Sequence, residues 1–253
     1  MSFGKVSVII PCYNNNFTIR ETVDSILAQT YKNLEVIVVD NGMTLDKNLL
    51  MTDGRLPDRV VVVESEKQLG AYGGRNLGVI HATGRYIAFC DADDLWNEEK
   101  LAMQLAVMTR FRVKGKAPVL VFTGRELINE NGEPLDKYIG CQKVVSYKRL
   151  LRTNQISCSS VLMERKTALA NPFPDVDFHE DYALWLRLLS NGNYAAGINR
   201  PLISYRVSTK SKSGNKIKSA IMTYKVYKYI GLNPIDRMYY MFTYTVNGIK
   251  KYA

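Results

Sequence analysis

Residues 87–96 read IAFCDADDLW, in which an apolar, strand-like run ends in three carboxylates within four positions. Asp91, Asp93 and Asp94 would repel one another unless a cation lay nearby. Ligands of open parallel sheets bind at the carboxyl ends of the strands. A cluster of oxygen ligands at such an end predicts a hard divalent cation, Mn²⁺ or Mg²⁺, which also binds substrate phosphates. The alternative is that one aspartate only caps the next helix, although Asn97 is also placed for capping.

The sequence around this stretch predicts an α/β fold. Apolar runs rich in β-branched residues predict strands at 6–10, 34–39, 59–65 and 85–90, with helices between and after them. Thr18 and Glu21 should form a capping box at the first helix. Later strands are predicted at 119–124, 193–198 and 202–207, with a hairpin at 126–134. The sheet should therefore be mixed but mostly parallel, and flanked by helices.

The glycine-rich stretch at 70–84 contains a candidate binding residue. It lacks both a G-x-G-x-x-G pattern after a strand and the GK[ST] ending of a P-loop, so it is weak evidence for dinucleotide binding. Its Arg75 is interpreted as a contact to an anion or a base. The alternative is an ordinary solvated surface arginine.

A second acidic focus lies in the sequence FHEDY at 178–182, which opens a predicted helix. Two acids in this turn, Glu180 and Asp181, followed one helical turn later by Trp185, suggest a general base near a ring on which a sugar could stack, with Glu180 and Trp185 as candidate contacts to the acceptor. Carboxylates are also common in first turns simply because the helix dipole favours them there.

Composition narrows the class of protein. The chain has 253 residues, is 46% hydrophobic and carries a net charge of +10. No apolar run reaches the roughly eighteen residues that would span a bilayer, and no signal peptide is visible, so residence in the cytosol is expected. The four cysteines form no CxxC pair, which argues against a zinc site or a disulfide framework.

The positive charge is concentrated at the end of the chain, because residues 201–253 contain ten basic residues and a single acid. We expect one domain over 1–212, a polar linker near 206–216, and a basic amphipathic helical extension over 213–253. Such helices commonly lie on anionic membranes. The alternative is an ordinary packed helical pair with a solvated lysine face. The first of these helices should carry one apolar face, with its lysines largely away from it; that face is formed by Ile217, Ala220, Ile221, Tyr224 and Tyr227.

Taken together, four stretches resemble a family 2 glycosyltransferase of the GT-A fold, a Rossmann-like nucleotide-binding fold. VSVIIPCYNN resembles the family's first strand and nucleotide-contacting turn, and AQTYKNLEVIVVDNG its second strand. RNLGVIHATGRYIAFCDADD resembles the run into its DxD motif, and HEDYALWLRLL its late "ED" helix. The resemblance covers roughly residues 5–207. The C-terminal part resembles enzymes that build bacterial surface polysaccharides such as O-antigen, capsule or teichuronic-type polymers.

The resemblance implies a role for each matching residue. Pro11 and Tyr13 would line the base pocket. Asp40 and Asn41 lie where the family usually has Asp-Asp, whose second acid accepts from the base N3–H, and an Asn oxygen can accept the same bond. Arg75 would lie near the base or phosphates, Asp91 would face the ribose, and Asp93 would bind the metal. Asp181 would be the general base.

The implied activity is an inverting, metal-dependent transfer of a sugar from a nucleotide donor, with a UDP-sugar favoured. The acceptor would be a hydroxyl group of a growing, lipid-linked glycan at the inner face of the cell membrane, and no nucleic-acid partner is expected. A phosphatase of the haloacid dehalogenase type also places DxD after a strand, but with Thr or Val after the second Asp. A second alternative is a non-enzymatic adaptor that binds polyanions or membranes through the basic tail.

Overall fold

The computed structural model describes residues 3–207 and 216–252. Within these ranges ten strands form one sheet: β1 (Val6–Cys12), β2 (Leu34–Asn41), β3 (Val60–Ser65), β4 (Tyr86–Phe89), β5 (Leu95–Trp96), β6 (Leu120–Ile128), β7 (Pro134–Ile139), β8 (Val144–Ser146), β9 (Leu162–Glu164) and β10 (Tyr194–Arg206). The α-helices in these ranges are α1 (Ile19–Leu27), α2 (Gly70–His81), α3 (Lys100–Arg110), α4 (Tyr147–Arg152), α5 (Arg165–Ala170), α6 (Glu180–Leu189), α7 (Lys216–Tyr229) and α8 (Pro234–Tyr252), and short 3₁₀ segments span Lys47–Leu50 and Cys158–Ser160.

The sheet brings the predicted ligand-binding ends of the strands to one edge. Its order is β3-β2-β1-β4-β9-β6-β10-β5, with β7 paired to β6 and β8 paired to β10. The pairs β1–β2, β2–β3, β1–β4 and β6–β10 are parallel. Strand β9 is antiparallel to both β4 and β6, so β4, β6 and β10 run in the same direction. The prediction of a mixed, mostly parallel sheet flanked by helices is confirmed.

Alternating side chains of the central strands fill two cores. Val8 and Ile10 of β1 belong to one core with residues of α1 and α3, whereas Ile9 belongs to the other with residues of α2 and α6. This arrangement explains why the strands read as continuous apolar runs instead of alternating ones, since both faces of the sheet are covered. The four cysteines are free thiols.

Two local predictions were wrong. The segments at 193–198 and 202–207 form one irregular strand, β10, whose pairing with β6 shifts register between Ile198 and Ile203. The capping box at α1 is not formed, because the Thr18 hydroxyl donates instead to the Ala92 carbonyl at 2.8 Å. Helix α1 is thereby bonded to the acidic loop that follows β4.

Helices α7 and α8 pack on the rest of the protein through their inner faces. Val226 and Tyr227 are fully buried in the same core as α6, and the Tyr227 hydroxyl donates to the Leu151 carbonyl at 2.5 Å. Only part of the predicted apolar face of α7 is buried, because Ile221 and Tyr224 are exposed whereas Tyr227 is not. Among the described residues, no helix combines the length and apolarity needed to cross a membrane.

The predicted domain boundary between residues 212 and 213 lies outside the described residues, as does most of the predicted linker at 206–216. Arg206 itself ends strand β10 and is buried. It therefore belongs to the folded domain and not to a linker.

Candidate active site

The acidic loop after β4 is held in place from three sides. The Thr18 and Thr22 hydroxyls of α1 both donate to the Ala92 carbonyl, at 2.8 and 3.1 Å. Asp94 is buried, and its carboxylate accepts from the Arg206 backbone N–H at 3.0 Å. The loop is therefore fixed by neighbours distant in sequence, and Asp94 serves as its anchor instead of as a helix cap.

Arg75 joins the two acidic motifs that the sequence places about ninety residues apart. One terminal nitrogen donates to Asp91 at 2.7 Å, and the other donates to Glu180 at 2.8 Å. Arg75 is only 5% exposed, and its guanidinium lies 5.3 Å from the centre of the Phe173 ring. A solvated surface arginine is therefore ruled out. Arg75 instead holds together two segments: the loop after β4 that carries Asp91 and Asp93 (the DxD loop), and the start of α6 (the ED helix).

Asp93 is the carboxylate of the loop best suited to bind a cation. It is half-buried, and burial together with the nearby charge of Asp91 raises its pKa to about 6. Within the described residues its side chain forms no ion pair, since the Arg206 Nε donates to the Asp93 carbonyl and not to its carboxylate. Burial and the charge of Asp91 both destabilise the ionised form of Asp93. A bound divalent cation would offset both effects, so the Asp93 carboxylate fits a metal ligand. The described residues contain no cluster of three or more metal-binding side chains, so donor phosphates and water would have to supply the other ligands.

Asp181 has the properties of a general base poised near neutral pH. It lies in the first turn of α6, and its carboxylate accepts from the Tyr182 backbone N–H at 2.7 Å. Burial and the negative charge of Glu180 raise the pKa of Asp181 to about 7, against the opposing charge of Arg75. A base whose pKa lies near the working pH combines a useful ionised fraction with a strong tendency to accept a proton.

Two glycines, Gly42 and Gly74, allow close packing at the carboxyl ends of β1 and β2. The Tyr13 ring is 42% exposed and borders Gly42, where a Cβ atom would lie 3.6 Å from the ring. At Gly74 of α2 a Cβ would lie only 3.0 Å from the Pro11 Cβ, so glycine lets this helix approach the strand end. Pro11 and Tyr13 therefore lie against the glycines that follow β2 and that belong to α2, and their role in a base pocket stays a prediction.

The family description "Glycosyl transferase family 2" matches residues 7–134. The chain belongs to glycosyltransferase family 2. WfgD of Escherichia coli, a UDP-Glc:alpha-D-GlcNAc-diphosphoundecaprenol beta-1,3-glucosyltransferase, is 37% identical in an alignment 254 positions long that covers 98% of this chain and 95% of WfgD. TuaG of Bacillus subtilis, a putative teichuronic acid biosynthesis glycosyltransferase, is 35% identical over 97% of this chain and 96% of TuaG.

The fold agrees with that assignment. The mannosyltransferase PcManGT of Pyrobaculum calidifontis, solved with GDP-Man and Mn²⁺, superposes with a TM-score of 0.67 at 20% identity, over 95% of this chain and 68% of that one. The protein thus has the GT-A fold and resembles glycosyltransferases of bacterial surface polysaccharides. The phosphatase and the non-enzymatic adaptor are accordingly set aside.

The pair at the end of β2, which departs from the Asp-Asp usual in the family, is locked by local hydrogen bonds. The Asn41 oxygen accepts from the Leu69 N–H at 2.6 Å and its nitrogen donates to the Gly70 carbonyl at 3.0 Å. Asp40 accepts from the backbone N–H groups of Thr44 and Leu45. Both side chains are buried. Asn41 thus joins β2 to the start of α2, and its contact with a base stays a prediction.

Trp185 does not occupy the position expected of a sugar-stacking ring. It is fully buried, and its ring packs edge-on against Phe173 with 5.8 Å between centroids. Phe173 in turn lies beside Arg75. The prediction was wrong because position 185 faces the core side of α6. Trp185 instead packs against Phe173, the ring beside which the Arg75 guanidinium lies.

Sequence reasoning missed three residues that shape the site. The Ser159 hydroxyl accepts from the Asp91 backbone N–H at 3.0 Å, and Arg206 donates to the Asp93 carbonyl at 2.9 Å. Glu21 pairs with the Arg206 guanidinium at 2.9 Å. No local pattern marked Ser159. Arg206 could have been recognised as a cation at the end of a strand, on the same edge as the DxD loop.

Proposed function

We propose that this protein is an inverting glycosyltransferase that moves a sugar from a UDP-sugar to a hydroxyl group of a lipid-linked surface glycan. The observation that supports the proposal is the bridge from Asp91 through Arg75 to Glu180, because it joins the acidic loop after β4 to the first turn of α6, which carries Asp181. The donor and acceptor of WfgD, its relative, are of the same classes.

In this proposal the two ends of the cleft bind different parts of the donor. The region beside Pro11 and Tyr13 receives the base, and Asp91 faces the ribose with the carboxylate oxygen that Arg75 leaves free. Asp93 would hold Mn²⁺ or Mg²⁺, which when bound supplies positive charge at the diphosphate leaving group. The support for a metal is the fit of Asp93 and the Mn²⁺ in the related PcManGT structure.

Asp181 takes the proton from the acceptor hydroxyl as that oxygen attacks the anomeric carbon. Glu180, which pairs with Arg75, lies beside the base, and burial together with the negative charge of Glu180 raises the pKa of Asp181 enough for it to accept the proton. A single displacement with one base inverts the anomeric configuration, by the same geometry that distinguishes inverting glycosidases. Glu180 retains a second carboxylate oxygen with which it could contact the acceptor.

Asp93→Ala is expected to abolish the Mn²⁺-dependent part of UDP affinity, because the phosphates would lose the ion that joins them to the protein. Calorimetry of UDP binding with and without Mn²⁺ measures this directly, independently of turnover. Glu98→Ala, which removes an exposed acid of the same segment, is the matched control. Unchanged Mn²⁺-dependent binding in Asp93→Ala would contradict the assignment.

We also propose that the enzyme lies at the cytoplasmic face of the membrane through the outer surface of α7 and α8. That surface combines Lys218, Lys225 and Lys228 with the exposed apolar residues of α8. Lysines near an anionic bilayer each contribute roughly 1 kcal/mol, and apolar side chains add to this once they enter the interface.

The full chain is therefore expected to sediment with anionic vesicles at low salt and not with neutral ones. Binding should weaken near physiological ionic strength, where the Debye length is about 8 Å. Met238→Gln/Phe242→Gln should bind more weakly, whereas Leu135→Gln, an exposed apolar residue on β7, should not. Substitution is preferable to truncation, since Val226 and Tyr227 belong to the core. Equal binding to both kinds of vesicle would refute the electrostatic part of this proposal.

A further inference from the structure

A cavity of about 510 Å³ lies between β7, α4 and α8, outside the proposed donor site. Its polar lining comes from Gln142, Arg149, Arg152, Thr153, Gln155 and Asn247, and no acidic residue is among the described residues that line it. Within the described ranges neither arginine has an ion-pair partner. The cavity therefore offers two uncompensated positive charges to an anion.

The cavity is built by hydrogen bonds that orient one of these arginines. The Arg149 Nε donates to the Gln142 side-chain oxygen, and Gln155, which is buried, accepts from the Gln142 backbone N–H at 3.1 Å. No further hydrogen bond of the Arg149 side chain is seen within the described residues, so its two terminal nitrogens are available. Arg152 contacts the Tyr239 hydroxyl at 3.4 Å.

The cavity is close to the base. Tyr182, which follows Asp181 in the chain, donates its hydroxyl to the Leu150 carbonyl at 2.9 Å, and Leu150 lies between the two arginines on α4. One tyrosine side chain thus separates the start of α6 from α4. The lining residues Thr153 and Gln155 are followed a few positions later in the chain by Ser159, whose hydroxyl accepts from the Asp91 backbone N–H.

An exposed apolar stripe begins at the rim of the cavity. Ile235, Met238, Tyr239, Phe242 and Val246 are all exposed and recur at helical spacing along α8. Arg152 touches Tyr239 of this stripe, and Asn247, next to Val246, donates to the Arg152 carbonyl at 3.1 Å. At a rise of about 1.5 Å per residue the stripe extends roughly 16 Å. A paired cation site therefore adjoins a long apolar surface.

We infer that this cavity holds the diphosphate of a polyprenyl-diphosphate-linked acceptor, with Arg149 and Arg152 on the phosphates and the start of the lipid chain along α8. The inference rests on the proposed transfer to a lipid-linked glycan, and it adds the subsite that binds the diphosphate of that acceptor. Guanidinium groups suit phosphate oxygens because their paired N–H donors match them in geometry and charge. The acceptor sugar then extends from the diphosphate toward Asp181.

The test compares two acceptors that differ only in the diphosphate: an alkyl N-acetylglucosaminyl diphosphate and the alkyl N-acetylglucosaminide with the same chain. Arg149→Ala/Arg152→Ala is expected to raise the KM for the diphosphate acceptor roughly tenfold to a hundredfold, the usual loss for hydrogen bonds to charged groups. The KM for the uncharged acceptor and the KM for the UDP-sugar should change less than about twofold. Lys148→Ala, which removes an exposed cation of the same helix outside the cavity, should leave all three values unchanged.

A parental KM for the diphosphate acceptor in the double variant would overturn the inference, as would an equal loss with both acceptors or a raised donor KM. Arg149→Gln and Arg152→Gln, tested singly, keep the test valid if the double variant folds poorly. Transfer to neither acceptor by the parental enzyme would refute the proposed function itself. Transfer by the parent with no effect of the arginines would refute only the subsite.

Discussion

Asp181→Asn is expected to lower turnover by about two to four orders of magnitude, the usual contribution of a positioned general base. The amide keeps the shape of the side chain and can still accept from the Tyr182 N–H, so the fold should be retained. UDP affinity should stay within about twofold of the parent, because the proposed donor site is built from other residues. Steady-state kinetics combined with UDP calorimetry separates these two effects.

The pH profile of the parental enzyme provides an independent check. Because the pKa of Asp181 is raised to about 7, the ionised and active form is the minor one below that pH. The value of kcat/KM should therefore fall about tenfold per pH unit on the acid side and level off above neutrality. In Glu180→Gln the loss of the neighbouring negative charge should move this midpoint to lower pH. Near-parental turnover in Asp181→Asn, with Glu180→Gln strongly impaired, would mean that the base has been assigned to the wrong carboxylate.

The second large effect is expected on stability, from Arg75→Met. Methionine retains much of the packing against Phe173 but leaves Asp91 and Glu180 without their shared cation. Removing one partner of a fully buried ion pair commonly costs about 3–5 kcal/mol, and since the Asp91 and Glu180 side chains keep 33% and 21% of their exposure, we expect a loss near the lower end of that range. The free energy of unfolding, measured with urea at neutral pH, should fall by about this amount.

Arg85→Ala is the matched control: Arg85 is an exposed arginine 3.9 Å from Glu164, and surface pairs of this kind contribute at most about 1 kcal/mol. Equal stability of Arg75→Met and the parent would show that Arg75 does not compensate these acids.

The sequence by itself determined the strands of the first ninety residues, their parallel pairing and the position of the acidic loop. These features can be predicted because each depends on the types and spacing of residues that are close together in the chain. Continuous β-branched runs are apolar on both faces, which predicts strands covered by helices on both sides. Strands alternating with helices require right-handed crossovers, so the strand ends collect at one edge. The acidic stretch and the ED stretch were recognisable for the same reason.

Only the tertiary structure decided which side chains reach the cleft. Arg75 and Glu180 are 105 positions apart in the chain, and no local pattern reveals that they share an ion pair. Trp185 appeared suited to a ligand contact, but it is packed in the core, and the hydrogen bonds of Asn41 to Leu69 and Gly70 could not be read from the sequence either. Helix α7 likewise turned a different face inward, because its neighbours α6 and α4 determine which of its apolar residues are buried. A helix with apolar residues on several faces leaves that choice to its packing partners.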